Sequence, residues 1–469
     1  MRMWWPLAAV CLGTFLFLLD TTVLSVALPD IGAALSAPLS ELQWVVDGYT
    51  LVLAVLMLTM GALADRLGAR VVYAAGLVVF GCASLACGSA PTVGVLVAAR
   101  AVQGAGGAAM AVTAFALIGS VYRGPVLGRA MGVFGAVTGL AAALGPMLGG
   151  VVTQYLGWRA VFLLNLPLIA LTVVLALRVL PAGPRGAGGA RVDVPGMVAF
   201  ALAAGSLTYA LSLAGERRWS SPTVLTLLAV AGLALAAFAR IELRSAAPLL
   251  DLRLFARPFF SAAMACVLAS TAAFAALVYT SVWLQTGLGL GPVRAGLALM
   301  PLALASFATS LVSGRRLHGR SPRVVLGTGL LLSGLGCAAQ AGLDAHSSAW
   351  STAVGLVLTG VGVGLMGPAM GAAVFAALPP ERAGMAAGAM TTFRQLGQTL
   401  GVAAFGVLFQ QGGAAPFAGL NRVLLAAAAV GLLGAVLAYV LVPKPNAPEP
   451  NVSEPNVSEP TAAEPGPAR

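Results

Sequence analysis

"GALADRLGARVVYAAG", Gly61–Gly76, decides how the rest of this chain is read. An acid and a base, Asp65 and Arg66, are followed by Gly68 and Arg70, and apolar runs flank the group at 44-64 and 71-89. Each run has about the 20 residues that a helix needs to cross a hydrocarbon core about 30 Å thick. Between them the chain has room for a tight turn and little else. The stretch therefore predicts two membrane-crossing helices joined by a charged hairpin loop.

The composition extends that reading to the whole chain. Of 469 residues 59% are hydrophobic and only 9% charged, and the mean hydropathy is +0.95. A water-soluble fold needs a polar skin that this composition cannot supply, whereas lipid covers an apolar exterior. The 58 glycines and 28 prolines fit the same class, since both are commoner in membrane helices than in soluble ones. Fourteen apolar runs follow one another, from 5-28 through 92-118, 127-154 and 383-411 to 420-442. An even count puts both termini on one side. With the N-terminus cytoplasmic, the inner loops and tail hold nineteen of the 26 basic residues, and the outer loops hold Arg159, Arg217, Arg218, Arg294 and Arg422. The excess of inner positive charge sets the orientation, with both ends inside.

The net charge of +11 is thus a topology signal and an attraction to anionic headgroups, not a nucleic-acid footprint. Cys11, Cys82, Cys87, Cys266 and Cys337 all lie in apolar runs without metal-ligand spacing, and read as small core residues outside any disulfide framework. Arg2 and the following run imitate a leader, but the run is too long and similar runs follow at once. After Pro443, a Pro/Glu/Ser tail with tandem "NVSEP" cannot bury apolar surface and predicts disorder. Its "NVS" triplets match a glycosylation pattern that a cytosolic tail would not use. No phosphate-binding loop, metal cluster or catalytic triad is present, which argues against an enzyme and against an ATP-driven pump.

Few charges remain at membrane depth. Asp20, Asp47, Arg100 and Arg394 stay inside predicted spans, while His318 and His346 fall in loops. Asp20 lies eight residues before Leu28 and Arg100 eight after Thr92, so both sit about 12 Å below the outer boundary at 1.5 Å per residue. An unpaired charge there is costly, and a shared cavity or direct pairing is the economical arrangement. Asp47 lies nearer the outer surface and is also readable as a solvated interfacial residue. Arg394, in "MTTFRQLGQTLG", either contacts substrate or holds helices together.

The motifs add a family likeness. "GALADRLGARVVYAAG" resembles the cytoplasmic loop of the major facilitator superfamily, with Gly61, Asp65, Arg66 and Gly68 in place and Arg70 one position late. "LVAARAVQGAGGAAM" resembles that family's fourth span, centred on Arg100, Gln103 and Gly104. "GLAAALGPMLGGV" resembles its antiporter motif, carried by Gly139, Gly145, Pro146, Gly149 and Gly150. "LDTTVLSVALP", with Ser25 where asparagine is usual, "GWRAVFLLNLP" and "FRQLGQTLGVAAFG" resemble the fourteen-span drug:proton antiporters.

The resemblance implies an all-α polytopic membrane protein. Two six-helix bundles, 1-180 and 258-442, would flank two extra helices in 181-257, with a cytoplasmic tail at 443-469. It implies alternating access, with Asp20, Arg100 and Asp47 coupling protons and Gly61, Asp65, Arg66, Gly68 and Arg70 latching one state through nearby arginines and helix ends. Gly145 and its neighbours would allow close helix approach and a bend at Pro146. Gln103, Arg394 and Gln395 would border a substrate cavity. The expected activity is export of hydrophobic or cationic drugs or an antibiotic across the inner membrane by a monomer, powered by the proton gradient without a cofactor. An exporter of one endogenous metabolite, or a non-transporting sensor or assembly partner on the same fold, is the alternative.

Overall fold

A computed structural model describes residues 2–37, 39–181, 193–216, 219–245, 248–316, 320–376, 383–413 and 415–442. Much of the loop before residue 193 and the tail from 443 lie outside the described residues, as does His318. Among the described residues there is no strand. The helices are α1 (Trp5–Leu35), α2 (Leu39–Leu67), α3 (Ala69–Gly88), α4 (Val93–Val121), α5 (Gly124–Leu156), α6 (Trp158–Leu163), α7 (Asn165–Val179), α8 (Val194–Glu216) and α9 (Pro222–Glu242). They continue as α10 (Pro258–Phe274), α11 (Ala276–Val282), α12 (Pro292–Arg316), α13 (Pro322–Gln340), α14 (Ala353–Ala376), α15 (Ala383–Gln410) and α16 (Pro416–Leu441).

Twelve helical stretches among the described residues are long and apolar enough to cross a membrane. α15 falls outside that set, its interior carrying Thr391, Thr392, Arg394, Gln395 and Gln398, and the apolar stretch of α5 is Val126–Ala141. Leu233, Val354, Leu433 and Val440 point outward from the bundle and are exposed. So broad an apolar exterior is the surface of a multi-pass membrane protein.

The opening hairpin is tighter than expected. Gly68 alone separates α2 from α3, at φ +92°, where an L-residue's Cβ would clash. Its N–H donates to Ala64 O at 2.9 Å, closing α2, and its carbonyl accepts from Val71 N at 3.1 Å, opening α3. Arg70, just inside α3, donates to the carbonyl of Leu177 in the last turn of α7.

Other boundaries shift. α1 does not stop at Leu28 but runs through Pro29 and Asp30 to Leu35, ending at Ser36 in the left-handed conformation. The sixth run is broken at Leu164 into α6 and α7. The ninth is broken at Ala275, and α11 continues into a π turn over Trp283–Gly287.

Packing follows chain order within each half and crosses it at a few places. α2 and α3 pack on α4, α1 on α5 and α7, α13 on α14 and α16, and α10 on α15 and α16. α12 joins α5 to α14, α15 packs on α2 and α4, and the α8–α9 hairpin lies against α2. Cys11, Cys87, Cys266 and Cys337 are buried free thiols, whereas Cys82 departs from the expected core role and faces outward.

Candidate functional site

The first helices bring one charged cluster together. Asp20 on α1 and Arg100 on α4 are 2% and 1% exposed. Arg100 Nη1 donates to Asp20 Oδ2 at 2.5 Å and to Gln103 Oε1 at 2.7 Å, while its Nε donates to Val45 O on α2 at 3.2 Å. Gln103 stands one helical turn after Arg100, so both face the same way. Its amide donates to Asp20 Oδ1 at 3.1 Å and to Ser84 Oγ of α3 at 2.9 Å. The other lobe of Asp20 Oδ1 is taken by Asn165 Nδ2 at 3.0 Å. The guanidinium lies over the Tyr49 ring, 4.1 Å from its centroid.

Chemically the cluster is a desolvated carboxylate with three side-chain donors and a cation that has two alternative acceptors. That makes a buried charge tolerable, since ion pairs out of water survive only with every lone pair engaged. Besides Asp20, Arg100 is held by Gln103 Oε1, Val45 O and the Tyr49 face.

The sequence reading set Asp20 and Arg100 at one depth and gave Gln103 to a substrate cavity; the structure brings Gln103 to the pair and adds partners that the reading missed. Asn165 stands at the start of α7, right after the break at Leu164. Its signal was the "NLP" inside the quoted "GWRAVFLLNLP". Ser84 and Tyr49 are neutral side chains in apolar runs, invisible to a search by charge.

Asp47 lines a different space. Val45 and Tyr49 face Arg100, and at 100° per residue Asp47 points about 200° away from Val45. It borders a cleft between α2 and α8 with Trp44, Thr50, Leu51, Thr208 and Tyr209.

Asp65 reaches across the fold. Its carboxylate accepts from Gly384 N at 2.6 Å and Met385 N at 2.8 Å, capping the start of α15. This is the helix end among the two kinds of partner expected; Arg66 is exposed, and Arg70 donates to Leu177 O of α7. A Cβ on Gly61 would lie 3.1 Å from Gly388 Cα, so the two helices touch backbone to backbone. Between two other helices, Ser310 Oγ of α12 donates to Gly132 O of α5 at 3.2 Å.

In α5, a Cβ on Gly145 would collide with Thr22 Oγ1, and one on Gly149 would lie 2.9 Å from Val23 O, just past Asp20 on α1. Gly139 instead faces Ser306 of α12, and Gly150 is half-buried. α5 runs without a break through Pro146, whose side chain, like that of Ser25, lies outside the described ones.

Arg394 and Gln395 are half-buried on α15. Arg394 Cζ is 5.8 Å from the Phe115 ring, fifteen residues beyond Arg100 on α4, or about 22 Å along that helix. The structure therefore does not bring Arg394 to the Asp20 cluster. Outside the spans, Asp344 is held below the usual carboxylate range by the Ser347 hydroxyl and the His346 N–H, which is loop-turn chemistry.

The sequence matches the Major Facilitator Superfamily profile over residues 10–322 and 283–464. It is 33% identical over 450 residues to the methylenomycin A resistance protein of Streptomyces coelicolor, covering 94% of this chain and 92% of that one. It is 35% identical over 402 residues to the multidrug resistance protein Stp of Mycobacterium tuberculosis, covering 85% of this chain and 74% of the relative. The fold superposes on the human organic anion transporter MFSD10 with a TM-score of 0.69 at 17% identity, covering 93% of this chain and 99% of that one.

Proposed function

The chain belongs to the major facilitator superfamily, and we propose that it is a proton-driven antiporter exporting hydrophobic, cationic or aromatic small molecules across the bacterial plasma membrane. The observation that carries this reading is Asp20, a carboxylate buried at membrane depth and bound by Arg100, Gln103 and Asn165. In the proposed cycle, the charged carboxylate holds Arg100, and protonation releases it. Substrate and proton then favour different states of one centre, and exchange follows by linkage. The proton gradient is the energy source, and no cofactor is required.

In the same proposal α5 and α15 also cross the bilayer, making fourteen passes with both termini cytoplasmic. Residues 1-180 and 258-442 act as two bundles, 181-257 carries two added helices, and 443-469 is a cytoplasmic tail. That orientation puts Asp65, Gly61, Gly384 and the Ser310–Gly132 bond at the cytoplasmic end, so the conformation described here is closed to the cytoplasm. The protein works as a monomer among lipids. The cargo is a small drug or antibiotic, a reading supported by relatives named for methylenomycin A and multidrug resistance. Export of a single endogenous product is the second reading, favoured by the relative named for one antibiotic.

The test is drug susceptibility and efflux in cells expressing the chain, with and without a collapsed proton gradient. Tolerance that disappears with the gradient supports the proposal. Efflux that survives collapse, or no efflux of any compound, rejects it.

A further inference from the structure

One face of α15 carries a stripe of polar side chains through the middle of the bundle. Gly388 meets Gly61 of α2, and Gly397 meets Leu268 of α10, from opposite sides of the helix. At 100° per residue, Thr391, Arg394, Gln395 and Gln398 fall within an arc of about 100° between those two contacts. Arg394 Cζ, 5.8 Å from the Phe115 ring of α4, shows that this arc faces the opposite half of the protein. Arg394 stands ten residues past Gly384, about 15 Å along the helix from the Asp65 cap.

Thr391 bonds the backbone of its own helix. Arg394, Gln395 and Gln398 make no side-chain hydrogen bond or ion pair among the described residues. All three are half-buried, and none of their polar atoms is sealed off, so a space opens onto them between the halves. The guanidinium keeps its charge, and an unpaired charge at this depth is costly. The carboxylates closest in role are engaged elsewhere: Asp20 with Arg100, Gln103 and Asn165, and Asp65 with the α15 backbone. The counter-charge therefore has to come from outside the chain.

We propose that Arg394, with Gln395 and Gln398 beside it, is a binding site for an aromatic carboxylate. A guanidinium presents paired N–H groups whose spacing matches the two oxygens of a carboxylate, and the carboxamides add neutral donors. Phe115 meets Phe134 of α5 edge to face, with ring centroids 4.9 Å apart, and offers the flat body of such a ligand an aromatic wall. A single guanidinium balances a single negative charge, which favours a monocarboxylate over a doubly charged phosphate. Arg100 stands fifteen residues before Phe115 on α4, about 22 Å away, so the carboxylate does not touch the coupling cluster. The proposal rests on the exporter reading in taking the carboxylate for cargo, and it narrows the aromatic cargo proposed there to compounds with an acidic group.

The test measures equilibrium binding of radiolabelled 2-naphthoate to the full-length protein in dodecyl maltoside micelles, without any gradient. Saturable binding is expected, weakened about tenfold or more by Arg394→Gln. Arg394→Lys, which keeps the charge and loses the fork, should fall between the two. On the wild type, the neutral ester methyl 2-naphthoate should compete about tenfold less well than unlabelled 2-naphthoate, a comparison that needs no variant to fold. Absence of saturable binding, equal competition by the ester, or wild-type affinity in Arg394→Gln overturns the proposal. Displacement by phosphatidylglycerol at concentrations as low as those of unlabelled 2-naphthoate also overturns it and gives Arg394 to a lipid phosphate. Because no transport is measured, a failed exporter reading would leave this result standing, and loss of binding would leave the gradient test untouched.

Discussion

Asp65 accepts a 2.6 Å hydrogen bond from Gly384 N, 319 residues further along the chain, so the end of α2 is the N-terminal cap of α15. The cap joins opposite halves of the protein with one carboxylate on two backbone donors and a helix dipole. Such caps contribute about 1–2 kcal/mol. Asp65→Asn removes the charge and one acceptor, and should shift the balance away from the clamped state by roughly 5- to 30-fold. Spin-label distances between the ends of α2 and α15 would read the shift. An unchanged distance distribution would remove the latch from the account.

Gly145 lies where any Cβ meets Thr22 Oγ1, two residues past Asp20 on α1. Gly145→Leu should push α1 from α5 and abolish export while the protein still reaches the membrane, a steric failure with every charge intact. Gly139 faces Ser306 of α12 at ordinary contact distance, 3.8 Å from its would-be Cβ, so Gly139→Ala should export at close to the wild-type rate. Equal loss in both variants would show that helix propensity or insertion, not the α1 contact, is at fault.

How far the sequence could be read depends on what each signal measures. Apolar runs of crossing length were legible because the bilayer fixes their length. Depth counting paired Asp20 with Arg100 because a buried charge needs an opposite charge at its own level. Asn165, Ser84 and Tyr49 escaped because neutral side chains carry no such demand, and several helices offer equivalents. Which helix end Asp65 caps was hidden for another reason: the backbone of α15 has no side-chain signature. Depth set Asp47 nearer the outer surface than Asp20 but says nothing about azimuth, and the turn of α2 points it toward α8. Helix breaks at Leu164 and Ala275 leave the hydropathy unchanged, so no window could find them.

Asn165 donates to Asp20 Oδ1 from the head of α7. Asn165→Leu keeps the size and removes the donor, leaving a buried carboxylate lobe short of a partner at a cost of about 1–3 kcal/mol. The pH profile of export should move, because the charged form of Asp20 has lost a donor, while Asn165→Gln should restore part of it. A profile identical to wild type in the leucine variant would make Asn165 a packing residue only.

Arg100 holds Asp20, Gln103 and Val45 O at once, a reach that a single ammonium cannot reproduce. Arg100→Ala leaves Asp20 buried and unpaired and should cost about 3–5 kcal/mol of stability. The double variant Asp20→Asn with Arg100→Ala should be more stable than Arg100→Ala alone, since both charges are gone. Thermal unfolding in detergent measures the cycle. A double variant no more stable than the single one would mean that the pair is not energetically coupled.

The central claim is that Asp20 carries the proton, and everted membrane vesicles test it most directly. Uptake is followed for each compound the wild type exports, from a panel including ethidium and methylenomycin A, with an imposed pH gradient, for wild type and Asp20→Asn. Asn keeps the shape and the bonds to Gln103 but cannot titrate. The account predicts that Asp20→Asn is present in the membrane, takes up nothing against the gradient, and has lost the pH dependence of substrate binding. Gradient-driven uptake by Asp20→Asn with the wild-type pH dependence would contradict it.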